Sequence, residues 1–250
     1  MLDYKDIDFM VREQFRIDMN CTKACEKKYR ICINRRCEKK GARIYEGGST
    51  FFRAVFYMSD AYIMADDKIL EWVRNKYSLF NPAWFCKFDN LRLLDNELRK
   101  YGYEIRDTHI YFLPDENAQE FDFKCPYKLK WMNSEEIEAF REKNTFHNAL
   151  AYSKTQPDRI AVAAMDNGEI AGIAGASEDG ANLWQIGIDV NEDYRGKGLA
   201  VYLVTLLKKK IMELGKVPFY GTSESHTISR RVAVRSGFMP GWAEIYVKEI

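Results

Sequence analysis

No apolar run in these 250 residues approaches the ~20 that a membrane-crossing helix needs. The first ten residues, MLDYKDIDFM, carry acids where an export leader wants a basic region and an apolar core. No membrane partner is expected, and cytoplasmic residence is the default expectation. Net charge is nearly absent as well: 38 Lys and Arg against 37 Asp and Glu leave +1, so overall charge indicates no polyanionic partner. None of the six cysteines stands in the tight C-x2-C pair that structural zinc sites favour. Cys21, Cys25, Cys32 and Cys37 fall at C-x3-C-x6-C-x4-C, which keeps zinc as the minority reading. The first three are spaced for one helical face, where reduced thiols act as small apolar groups. No metal is expected.

Nucleotide signatures are missing too. The chain has neither G-x-x-x-x-G-K-[ST] nor G-x-G-x-x-G. What it has is a composition of 46% hydrophobic, 14% aromatic and 30% charged residues, suited to one large or two small globular domains. The organising stretch is Leu183–Leu214. Leu183–Val190 (LWQIGIDV) reads as a mostly buried strand. Leu199, Leu203, Leu206, Leu207, Ile211 and Leu214 repeat at helical spacing. Between them stand Arg195-Gly196-Lys197-Gly198-Leu199-Ala200. The first amides of a helix lack intrahelical partners and lie at its positive end. Glycines let an anion approach them, so strand, glycine loop and helix together make a phosphate site.

Arg195, Gly198 and Ala200 in the register R-x-x-G-x-A resemble the acyl-CoA pyrophosphate loop of the GNAT superfamily of N-acyltransferases. The order of elements from about Tyr127 onward is similar as well. A strand at 127–132 and a helix from Ser134 to Lys143 lead to a hairpin, 160–165 and 169–177, about Asp166-Asn167-Gly168. Strand 183–190 and its helix follow, then a strand at 217–222, a helix at 227–236 ending before Gly237, and a strand at 241–248. The resemblance implies an α/β (α+β) fold with a mixed central sheet flanked by helices, and acetyl-CoA as co-substrate. It implies that backbone groups of Ile188, Asp189 and Val190 contact the pantetheine arm as an added strand would. Amides of Arg195, Gly196, Lys197, Gly198, Leu199 and Ala200 would surround the pyrophosphate. The segment Ser225–Phe238 is similar to the family's N-x-x-S/A-…-G-F helix, with Ser229 on the Ser/Ala position and His226 on the Asn.

Two groups common in the family are replaced. Gln185 stands where a Glu base is frequent, and a glutamine takes up no proton; Ala233 stands where a Tyr acid is frequent. The remaining options are His226, which can titrate near neutral pH, a side chain such as Tyr220 or Glu224, or little acid–base help. In the last case positioning and a backbone amide near Val190 polarising the carbonyl would carry the rate. The bland readings are an N-cap or surface His226, a sheet aromatic at Tyr220 and a solvent-facing carboxylate at Asp189.

The N-terminal half reads as a smaller mixed α/β domain. It has an amphipathic helix over residues 4–18 and strands at 50–58 and 61–65. Helices at 66–77 and 90–101 and a strand at 108–113 follow. A boundary between Pro114 and Pro126 divides the chain into 1–125, a candidate contributor to the acceptor site, and 126–250. From Asn20 to Arg43 nine Lys or Arg face two Glu, read as a cationic helix whose usual role is a solvated face. The expected function is transfer of an acetyl group from acetyl-CoA to a primary amine on a small molecule or peptide. The alternatives are an acyl-CoA-binding regulatory module with weak catalysis, or a nucleic-acid or ribosome-associated protein using segment 20–43, the weaker of the two. The acceptor and the oligomeric state, a homodimer included, are left open.

Overall fold

The computed structural model describes residues 2–21, 30–44, 48–119, 121–141 and 145–250. Its elements are α1 (Tyr4–Asp18), β1 (Arg30–Arg35), β2 (Ser49–Tyr57), β3 (Asp60–Ala65), α2 (Asp67–Tyr77), α3 (Phe88–Arg99) and β4 (Tyr103–Pro114). Then come β5 (Lys128–Asn133), α4 (Ser134–Glu138), β6 (Asp158–Asp166), β7 (Glu169–Glu178) and β8 (Leu183–Val190). Last are α5 (Leu199–Glu213), β9 (Val217–Thr222), α6 (Thr227–Arg235) and β10 (Phe238–Glu249). This is the mixed α/β class expected. The chain divides into two compact units, one of Met1–Val11 with Tyr111–Pro240, the other of Arg12–Ile110 with Gly241–Ile250.

In the second unit the strand order is β1-β3-β2-β10. β1 runs parallel to β3, while β2 lies antiparallel to both β3 and β10. Asp66 caps α2 by accepting from the Lys68 amide at 3.1 Å. The apolar sides of α2 and α3 (Ile69, Val73, Leu94, Leu98) close on Phe52, Ile63 and Ile245. Arg43 is buried between the Phe15 and Trp242 rings and is ion-paired to Asp18 and Glu244. Residues 30–35 are therefore strand, not the cationic helix expected over 20–43; 22–29, with Cys25, lie outside the described residues. Strand character fits RICINR, where Ile31 and Ile33 alternate with polar neighbours and pack on the core. Cys21 and Cys32 are joined as a disulfide. That corrects the expectation of reduced thiols on one helix: Cys21 follows the end of α1 and Cys32 sits in β1, so spacing along a single helix does not apply.

In the first unit the order is β9-β8-β7-β6-β5. β5 through β8 pair antiparallel, and β8 and β9 pair parallel. Asn167 and Gly168 both take positive φ, +49° and +89°, as a tight hairpin turn between right-twisted strands requires. α4 ends at Glu138, earlier than the helix expected to Lys143; residues 142–144 lie outside the described set. Side chains alternate across this sheet. Gly172 of β7 lies beside Val190 and against Leu199 of α5, whereas Gly175 and Gly187 lie against the backbone of Asn148 and Ala149. One sheet face thus meets α5, and the other meets the segment Phe146–Leu150. α5 buries Leu199, Val201, Leu203, Val204, Leu207 and Ile211; four of these belong to the stripe read from the sequence, whereas Leu206 is half-buried and Leu214, past the helix end, is exposed.

Candidate functional site

β8 and β9 stay in register from Leu183↔Val217 to Ile186↔Tyr220, and there the pairing stops. β8 continues to Val190 and β9 to Thr222, so Gly187–Val190 have no partner on the β9 side. A strand that loses a neighbour offers unpaired backbone donors and acceptors. Those residues run straight into a single 3-10 turn, Glu192–Tyr194, and then into α5.

The mouth of α5 is open in a specific sense. Gly198 is its N-cap, at φ +90°, and provides no side-chain cap. The first intrahelical bond is donated by the Tyr202 amide to the Gly198 carbonyl at 3.1 Å. The amides of Leu199, Ala200 and Val201 thus precede the helical ladder. Gly196, at φ +75°, has nothing within 4 Å of where a Cβ would sit. The cations behave differently from the amides. Arg195 Nε donates to the Val190 carbonyl at 2.9 Å, and Lys197 Nζ to the Asp193 carbonyl at 2.9 Å. With Glu192 and Asp193 in the same loop, formal side-chain charge over 192–197 balances. Positive potential here comes chiefly from the helix terminus and its amides, with the two cations as adjustable additions.

Tyr220 and Ser229, read separately in the sequence, are brought together: their hydroxyls are 2.9 Å apart. Tyr220 pairs with Ile186 at the last position before the strands part and is almost wholly buried. Burial pushes its phenol above the ordinary tyrosine range, with the Asp189 charge adding in the same direction and the Ser229 bond opposing. It is therefore a neutral O–H donor around neutral pH. Asp189 is not simply solvent-facing. Its carboxylate accepts from the Asn148 amide at 2.9 Å, the Ala149 amide at 3.0 Å and Asn148 Nδ2 at 2.7 Å. It holds segment 146–150 over the sheet face that also carries Gln185 and Gly187. Gln185 Nε2 lies 3.3 Å from the Cβ position of Gly221, which Tyr111 crowds at 2.8 Å.

His226 occupies the N-cap position of α6, exposed, with no capping bond from its side chain. The cap reading therefore holds for position and not for interaction. Ala233 is fully buried, so no acid is presented from that site. Sequence reasoning passed over Asn148, Ala149, Tyr111 and the pair Phe121 and Phe123, whose rings lie 3.3 Å from the Cβ position of Gly198. One signal was available: Gly175 and Gly187 inside strands mark close backbone approach. They did not say which backbone approaches.

Residues 122–238 match the acetyltransferase (GNAT) family. No curated protein matches the chain. Among solved structures, a GCN5-related N-acetyltransferase-like protein from Streptococcus suis is 12% identical with a TM-score of 0.49, covering 98% of this chain and 100% of that one. An acetyltransferase of the GNAT family from Colwellia psychrerythraea is 12% identical (TM-score 0.43), over 59% of this chain and 57% of its own. An aminoglycoside N-acetyltransferase in complex with CoA is 22% identical (TM-score 0.33), over 45% of this chain and 91% of its own. The family match rests on residues 122–238 and not on these likenesses.

Proposed function

We propose, from the premise that the C-terminal half of this chain belongs to the GNAT family, that the protein transfers an acetyl group from acetyl-CoA to a primary amine. One observation carries the reading: β8 loses its β9 partner after Ile186 and leads directly into the uncapped amides of α5. An extended amide-bearing arm suits the side of Gly187–Val190 that faces away from β7, where β9 no longer pairs and Arg195 takes up the Val190 carbonyl. A diphosphate suits the amides from Gly196 to Ala200, with Arg195 and Lys197 able to turn toward it. The residues present thus fit acyl-CoA at both ends. The distance between them is covered by one short loop.

In the reaction the amine lone pair would form a C–N bond to the thioester carbonyl carbon, the C–S bond would break to release the CoA thiolate, and the proton lost from nitrogen would pass to water. An amide of the β8 edge near Val190 would polarise the carbonyl oxygen. Tyr220, neutral and tethered to Ser229, would donate a hydrogen bond to the departing sulfur. A thiol has an ordinary pKa near ~8.5, so its thiolate leaves with a hydrogen bond and without full protonation. Gln185 and Asp189 share the opposite face with segment 146–150, where an amine would approach. Gln185 can orient it and Asp189 is committed to the segment, so neither is assigned as base. His226 stays a candidate.

The buried Ala233 and the amide at Gln185 favour one competing reading, a module that binds acyl-CoA without turnover. Thiol release from acetyl-CoA over a panel of small amines and lysine peptides separates the two. Amine-dependent release supports transfer. CoA binding with no release above background across the panel leaves the binding module.

A further inference from the structure

The connection between α2 and α3, residues 78–87, carries two apolar sets with opposite fates. Tyr77, Phe80 and Phe85 pack on the core of the second unit. The Phe85 centroid lies 4.5 Å from that of Tyr77, 5.7 Å from Phe80 and 4.6 Å from Phe56 of β2. Asn81 accepts from the Ala83 amide at 3.1 Å, and Asn90 Nδ2 donates to the Phe85 carbonyl at 2.7 Å. Packing and side-chain bonds therefore hold the connection in shape. Leu79, Trp84 and Phe88 stand outside that core, and are 83%, 55% and 68% exposed. Cations accompany them. Lys87 Nζ lies 4.5 Å from the Trp84 centroid, and the Arg92 guanidinium carbon 4.5 Å from that of Phe88. Over residues 74–93, Arg74, Lys76, Lys87 and Arg92 stand against Asp89 alone, in a chain whose total is +1. All four cations are exposed, and none is ion-paired to a carboxylate among the described residues.

Large apolar side chains exposed together on a fixed turn mark a contact surface. We infer that the α2–α3 turn docks on an anionic lipid surface, Leu79, Trp84 and Phe88 entering the headgroup boundary and the cations meeting lipid phosphates and carboxylates. That boundary takes apolar side chains and Lys or Arg together, and tryptophan favours its depth. Lys87 over Trp84 already has the fitting posture, an alkyl stem along an apolar body with the charge outermost. The other occupants fit less of this. A second copy in an isologous contact sets the same cationic patch against itself. A single-stranded nucleic acid stacks on ring faces, and those of Trp84 and Phe88 carry Lys87 and Arg92. An acidic protein answers the cations; a lipid surface answers cations and apolar tips together. Contact of this kind lies on the membrane and needs no spanning helix, so the lack of one does not bear on it. It is independent of the acyl-CoA reading.

Co-sedimentation of the full chain with vesicles tests this, with phosphatidylcholine alone and with phosphatidylcholine mixed with phosphatidylserine. The protein should pellet with the mixed vesicles far more than with phosphatidylcholine. Rising salt should weaken that binding, because it screens exposed charges. Each cation near an anionic surface is worth about fivefold, so Lys87→Gln with Arg92→Gln should lower partitioning roughly twenty-five-fold. Leu79→Ser removes one inserted side chain and should lower it about tenfold or more. These side chains are exposed, so the variants should melt with the wild type. Trp84 supplies a second readout: tryptophan emission should shift to the blue on adding mixed vesicles, and Trp84→Phe should lose the shift. The inference is overturned if the wild type stays in the supernatant with mixed vesicles, or if a folded Leu79→Ser protein partitions as the wild type does. Retention on immobilised polyglutamate without vesicle binding would overturn it in favour of an acidic protein partner. Self-association without vesicle binding would do so in favour of a second copy.

Discussion

Replacing Gly198 by glutamate bears on the whole argument, because this residue is at once a backbone necessity and the mouth of the anion site. Three effects can be separated. At φ +90° any L side chain is strained by about 1–2 kcal/mol. The new Cβ would lie 3.3 Å from the Phe121 and Phe123 rings, a close fit that needs a small shift of those rings. The carboxylate would stand beside the helix mouth. There each unit of like charge ~4 Å away costs about 4 kcal/mol at an effective dielectric near 20, about a thousandfold in affinity. The assay is thermal unfolding with and without acetyl-CoA. At a hundred times Kd the ligand adds about 2.7 kcal/mol to the native state. At about 2–4 °C per kcal/mol for a chain of this size, Tm rises by roughly 5–11 °C in the wild type. Gly198→Glu should lose that rise entirely. Gly102→Ala is the matched control: φ +81°, nothing within 4 Å of its Cβ, and well outside the family match. It should unfold slightly earlier and keep the full rise. A folded Gly198→Glu protein that retains the wild-type shift would refute the assignment of the α5 amides to the diphosphate.

Three further outcomes follow from particular groups. Burial pushes the Lys208 ammonium down to about 8, with Lys209 adding to this and Asp115 opposing, while Nζ donates to the Gly237 carbonyl at 2.8 Å. The unfolded chain holds that proton to higher pH, so this group's contribution to stability should rise between about pH 8 and 10; Lys208→Met should flatten the rise, and an unchanged slope in pH-dependent urea melts would count against it. Reducing the Cys21–Cys32 bridge, which closes a separation of 11 residues, should cost about 3 kcal/mol; the bridge removes two of the four clustered thiols a zinc site would need, so elemental analysis should find no stoichiometric zinc, and zinc released by Cys25→Ala would reverse this. His226→Asn should leave turnover within a few-fold and the pH–rate profile intact, since the exposed side chain makes no capping bond; a fall of ~10² or more with a lost limb would make it the proton-transfer group.

How much of this was legible beforehand depends on the range of the interactions that decide it. α1 and the strands Leu183–Val190 and Val217–Thr222 fall at the residues read from the sequence, because each is set by local periodicity. Gly198 at the α5 mouth and the Asn167-Gly168 turn were likewise legible, since positive φ at those residues is a local demand. Segment 30–35 failed for a physical reason. Its cations suggested a solvated helix, but Ile31 and Ile33 could gain more by pairing with β3 and packing on the core, and tertiary contact overrides a weak propensity. The disulfide was missed because no rule of spacing brings the end of one helix to a strand eleven residues on. Asp189 was underread for the same reason: its three donors lie about forty positions back along the chain.

The catalytic question turns on what the two sheet faces do. Tyr220 and Ser229 lie on the α5 and α6 side; Gln185, Gly187 and Asp189 lie on the side covered by Asn148 and Ala149. An acyl group held at the edge of β8 where pairing ends would therefore meet a proton donor from one side and the amine from the other. That separation suits acyl transfer, because the leaving sulfur and the incoming nitrogen flank the same carbonyl carbon. On the amine's side Gln185 binds no proton and Asp189 is occupied by three donors, so nothing identified there is free to act as a strong base. Under the proposed transfer, such a site would act on the fraction of amine that is already neutral. The rate of that transfer would then rise with pH toward the amine's own pKa.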